Sequence, residues 1–156
     1  MVVSLYLLAL ALGIVAGLRT ATAPAVASWA AYLGVIGVSG TWLGFMAHPL
    51  TPWILTALAV GELVVDQLPS TPSRKVPYQF AGRIVSGALC GATIGIAAGQ
   101  LVGGVIAGIA GAIVGTLAGA AARARMAAAF GKDTPAALIE DAVAIGGAVL
   151  AVIALT

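Results

Sequence analysis

The sequence predicts an all-α fold, a polytopic transmembrane bundle of about six helices, and three observations predict it. The chain of 156 residues is 62% hydrophobic and only 8% charged, with a mean hydropathy of +1.14. A soluble globular chain carries about a quarter charged residues because it needs a polar skin. The apolar residues fall in runs long enough for helices in lipid, and all the cations fall in alternate links between those runs. The length matches one domain, 1–156, holding about six spans of roughly 20 residues each.

The first helix is expected over residues 2–18. It has no positive N-terminal region, and its nearest charge is Arg19 on the far side, so it reads as a retained helix rather than a cleaved signal. A second is expected over 23–39 and a third over 52–68. The last three follow over 83–100, 103–124 and 134–155. Pro24 and Pro135 suit first turns, where a missing N–H is harmless, and Thr134 is placed to cap the sixth helix. His48, Pro49 and Pro52 mark a loop, and the prolines between Leu68 and Pro77 end the third helix.

Arg19 lies after the first run, Arg74, Lys75 and Arg83 between the third and fourth, and Arg123, Arg125 and Lys132 between the fifth and sixth. Six crossings place these three links on one side, as the preference of Lys and Arg for cytoplasmic loops requires, and put both termini outside. Trp42, Phe45 and Trp53 around the outer loop, with Tyr78, Phe80 and Phe130 around inner loops, suit headgroup depth. The net charge of +2 and pI near 9.0 do not indicate a nucleic-acid surface, because the cations are spread between apolar runs rather than clustered on a solvated face.

The fourth run carries Gly87, Gly91, Gly95 and Gly99, and the fifth carries Gly104, Gly108, Gly111, Gly115 and Gly119. In lipid, helices associate through close van der Waals approach, which such a glycine-zipper face permits. The stripes predict either an antiparallel hairpin of these two helices or a contact between copies in a homo-oligomer.

The acids carry the functional signal. A carboxylate in hydrocarbon costs at least about 2.5 kcal/mol on insertion scales, so it faces a partner or water. Glu62 and Asp66 share one face of the third helix, and Glu140 and Asp141 lie about two turns into the sixth. Glu62 and Glu140 are each roughly 8 Å inside the inner helix ends by helical rise, and so are expected to meet in one polar pocket. Arg19, Arg74 and Arg83 are its natural counter-charges, aided by the N-terminal dipoles of the second and sixth helices. The pocket reads either as a cation, proton or solute site or as an ion-pair clasp holding helices in register.

No catalytic motif appears. Cys90 sits alone in an apolar run, His48 has no acid or cysteine beside it, and there is no nucleophile elbow, Walker loop or dinucleotide fingerprint. No cofactor or metal is implied.

GLRTATAPAVASWA and GKDTPAALIEDAVA each carry a glycine, a cation, a threonine and Pro-Ala before an apolar run. They open the second and sixth helices, which run in the same direction, so they do not make an inverted repeat. The strings GLRTATAPAVASWA, GELVVDQLPSTPSR, RIVSGALCGA and LIEDAVAI resemble an uncharacterised bacterial integral membrane protein family, domain-of-unknown-function family four-one-two-six, over nearly the whole chain. Arg19, Pro24, Glu62, Asp66, Pro69, Pro72, Arg74, Arg83, Gly87, Glu140 and Asp141 carry the likeness. The resemblance implies the bacterial inner membrane and brings no established activity.

Two functions are therefore expected of the residues: a transporter or channel for an ion or small solute, or a structural or accessory protein that assembles through its glycine faces. Acid–base work on a lipid by the same carboxylates ranks third. The expected partners are the lipid bilayer, an ion or solute, and a second copy, with no nucleic acid.

Overall fold

The computed structural model describes residues 2–66 and 76–154, and the described residues are helical with no strand. The helices are α1 (Val2–Leu18), α2 (Thr22–Tyr32), α3 (Thr51–Val65), α4 (Pro77–Ala97), α5 (Leu101–Phe130) and α6 (Asp133–Ile153), with a short 3-10 helix, Trp42–Ala47, between α2 and α3. By length and composition α4, α5 and α6 are each able to cross a membrane, while Ser4–Leu18 and Thr51–Val65 are shorter apolar helices.

α2 departs most from expectation. Instead of running to residue 39 it stops at Tyr32, after 11 residues, or about 16 Å of rise, roughly half of a bilayer core. The cause lies at Gly34, whose φ of +79° takes the left-handed conformation. The amides of Gly34 and Val35 then fold back onto the carbonyls of Ala31 and Ala30 and close the helix end. The chain continues through Gly40, also left-handed, into the 3-10 helix, whose first turn Thr41 caps by accepting from the Leu43 amide.

α4 begins at Pro77, six residues before the expected start, because proline fits the first turn. Arg83 thereby lies inside a helix rather than in a link. α5 continues past 124 to Phe130 through an alanine-rich stretch and ends at Gly131, φ +66°. Arg123 and Arg125 are thus helical as well. Thr134 does not cap α6; the N-cap position is Lys132, and its side chain makes no capping hydrogen bond. The expected last turn of the third helix, Pro69, Pro72, Arg74 and Lys75 lie outside the described residues.

α1, α4 and α5 pack mutually at the centre, α6 lies against α5, α1 and α2, and α3 rests mainly on α2 and the 3-10 helix. Glycine sets the central spacing. A Cβ at Gly91 would lie 2.1 Å from the Gly104 carbonyl oxygen, and one at Gly108 would lie 2.1 Å from that of Gly87. On the neighbouring face, a Cβ at Gly111 or Gly115 would stand 2.2 Å from a main-chain oxygen of α1, at Leu10 and Ile14. Gly95 likewise meets the main chain at Gln100 and Gly104, and Gly119 is buried. The α4 and α5 stripes therefore meet within one chain, and α5 turns a second glycine face to α1. Gly99 is the exception: it lies beyond α4 with φ +68° and open space around it, so it serves the turn into α5 rather than a helix contact.

Candidate functional site

The site is built around an interruption. α1 ends at Leu18 and α2 starts at Thr22, leaving main-chain donors and acceptors that have no helical partner beside the packed core. Buried main-chain groups of this kind need other partners.

Side chains from three helices supply them. Arg83 Nη1 on α4 donates to the carbonyls of Gly17 at 2.9 Å and Leu18 at 2.7 Å. Thr116 Oγ1 on α5, which donates to the Ala112 carbonyl of its own helix at 2.7 Å, lies 3.3 Å from the Gly17 carbonyl, and Ser86 Oγ on α4 donates to that of Thr20. On the other side of the break, the amides of Thr20 and Ala21 donate to the two carboxylate oxygens of Glu62, at 2.7 and 2.8 Å. A carboxylate ahead of a helix N-terminus is favoured by both the free N–H groups and the helix dipole. Arg83 Nη2 lies 3.9 Å from Glu62 Oε1, so the cap of α1 and the cap of α2 form an ion pair with each other.

Arg19, within the break, is fully buried. Its guanidinium pairs with Asp66 at the end of α3 and with Asp141 on α6. Arg123 on α5 forms a second bridge: it meets Asp133 through Nε at 3.0 Å and lies 3.4 Å from Glu140 Oε2. It also donates to the main-chain oxygen of Asp66 at 3.4 Å. Adjacent positions on α6 point in different directions, so Asp141 reaches Arg19 while Glu140 reaches Arg123.

The arginines at the break are drier than the acids. Side-chain exposure is 0% for Arg19 and 3% for Arg83, against 15% for Glu62 and 14% for Asp66. Around Arg123 the order reverses, with 15% exposure for the arginine and 4% for Glu140. Among the described residues the network holds two more carboxylates than guanidinium groups, and no group of three or more His, Cys, Asp or Glu is arranged to hold a metal ion.

Of the expected site residues, Arg19, Glu62, Asp66, Arg83, Glu140 and Asp141 come together, and Arg74 lies outside the described residues. Glu62 and Glu140 join the network through different arginines. Arg123 and Asp133 were not anticipated as members. The signal for Arg123 was the helix-favouring run after it, ending at a glycine, which carries α5 onward and puts this cation on a helix face. His48 serves its own loop, where Nδ1 accepts from the Leu50 amide at 3.3 Å, and Cys90 is buried in the core.

No protein-family model, no curated protein and no solved structure matches this chain.

Proposed function

We propose that this chain is a small integral membrane protein that moves an ion or small solute, with the charged network at the α1–α2 interruption as its gate. The observation that carries the reading is the discontinuous helix itself. Interrupted helices survive at membrane depth where they are buried in protein or border a cavity, and in transporters such breaks carry the binding site. Here the broken main chain is held by exchangeable side-chain contacts to Glu62, Arg83 and Ser86. Carboxylates gathered at membrane depth favour a cation or proton as the moving or coupled species. Opening the gate means separating Arg19 from Asp66 and Asp141 and Arg123 from the Asp66 main chain, which frees α3 from α6.

The same reading extends to topology. Three spans follow from α4, α5 and α6; α1 and the pair α2–α3 supply the remaining crossings of a six-span chain with both termini outside. The sequence likeness described above supports a place in the bacterial inner membrane and in that uncharacterised family.

Proteoliposome flux tests the function. Glu62→Gln and Glu140→Gln should each reduce cation or solute flux while the purified protein remains folded and monodisperse. No flux in folded protein contradicts transport, and flux independent of both residues contradicts the charged network as its gate. A second reading has its own support, because the acids of the network are engaged by arginines or amides, as a purely structural clasp requires. On that reading the protein is an accessory subunit, and native mass measurement should find it in a stable complex with an unrelated partner.

A further inference from the structure

We propose that the groove between the 3-10 helix and the far halves of α4 and α5 seats an acyl chain of a membrane lipid, in the leaflet opposite the charged network. The groove has a volume of about 450 Å³, and Trp42, Leu89, Ala92, Leu101, Val105 and Ile106 are among its lining residues. Its only side-chain heteroatom is the indole nitrogen of Trp42. It exists because α4 and α5 touch through Gly91 and Gly104, while Ala88 and Ala92 beside that contact offer only methyl groups. Trp42 overhangs the resulting hollow and is 65% exposed.

Depth identifies the occupant. At this end of the bundle Tyr6 donates to Gln100 Oε1 at 3.1 Å, an exposed polar pair at the mouth of the α4–α5 turn. Ile106 lies six residues beyond Gln100, about 9 Å by helical rise. That distance falls within the roughly 15 Å of hydrocarbon in one leaflet. Water entering the hollow would find only the Trp42 indole N–H as a side-chain partner, fewer than a buried water needs, and a polar solute would lose most of its hydration uncompensated. An acyl chain is the species present at that depth which loses nothing on entry and gains contacts on several sides. This inference rests on the membrane reading alone and is independent of transport.

Tryptophan fluorescence reads it directly, since Trp29, Trp42 and Trp53 are the only tryptophans. The full chain is placed in phosphatidylcholine vesicles containing a rising fraction of phosphatidylcholine brominated midway along its chains. A Trp29→Phe/Trp53→Phe variant reports Trp42, and a Trp29→Phe/Trp42→Phe variant reports Trp53, which is 64% exposed on α3 and serves as the bulk-lipid reference. Trp42 should be quenched at lower bromolipid fractions than Trp53, and Ala88→Phe or, on the opposite wall, Val105→Phe should move its curve onto that of Trp53. Coincident curves without the filling substitutions, or a Trp42 curve that neither substitution moves while helix content is retained, would overturn the proposal. Quenching of Trp42 by aqueous iodide with Trp53 protected would overturn it too, and the same iodide result at both residues would remove the membrane reading with it.

Discussion

The two halves of this molecule hold their helices together by opposite means. Around Gly91, Gly104, Gly108 and Gly115, main chain touches main chain with no side chain between. Around Arg19, side chains span the gaps, and most links are ion pairs or charged hydrogen bonds, with Ser86 adding a neutral one. In lipid neither half has a hydrophobic force driving helices together, so each substitutes another attraction: dispersion at backbone distance in one, charge in the other. The first kind of contact is fixed in geometry. The second is made by side chains, which is the difference the proposed gate requires.

Enlarging a central glycine should break the first half with the largest effect. Gly108 sits against Gly87 and Gly91 of α4, and Gly13 of α1 approaches it from another side. Gly108→Ile should destabilise by more than about 3 kcal/mol, since backbone cannot yield as a side chain can. The expected readout is loss of a monodisperse peak in detergent.

Removing the cation at the centre of the second half comes next. Arg19→Met removes the buried guanidinium that Asp66 and Asp141 share and should cost about 3–5 kcal/mol. Unfolding in mixed detergent micelles checks it, and adding Asp66→Asn and Asp141→Asn should restore most of the loss. If the triple variant is no better than the single one, the arginine acts by packing and not by charge.

Glu62→Gln is milder. The amide oxygen keeps one acceptor for the Thr20 and Ala21 amides, and the attraction to Arg83 is lost, for about 1.5 kcal/mol. The smallest effect should have the opposite sign. Gly146 on α6 has nothing within 4 Å of its Cβ position, so Gly146→Ala should leave stability unchanged or raise it by about 0.5–1 kcal/mol. The contrast between Gly108 and Gly146 separates a glycine required by contact from one that is merely tolerated.

The two halves also differed in how far the sequence disclosed them. Glycine at four-residue spacing is a local pattern, and close helix contact could be read from it directly, though whether the α4 and α5 stripes meet within one chain or between copies could not. Acids inside apolar runs were equally visible, because nothing but a partner explains Glu62 or Glu140 there. Their partners were harder to read. Arg123 looked like a loop cation marking one side of the membrane, and only the continuation of α5 to Phe130 brings it to Asp133 and Glu140. The early end of α2 was hidden for a related reason: residues 33–39 are apolar enough to extend a span, and the left-handed turn at Gly34 decides otherwise. No local pattern in Glu62 announces that it will cap a helix forty residues earlier, since that role depends on how α3 returns beside the break.

The account turns on the main chain at the α1–α2 break being held by Glu62 within the folded bundle. Amide hydrogen exchange at Thr20 and Ala21, in protein reconstituted in bilayers, tests it most directly. Both amides should exchange slowly in the unaltered chain and much faster in Glu62→Gln, with the middle of α5 unchanged in both. Exchange at the rate of unstructured amides without any substitution would contradict the account.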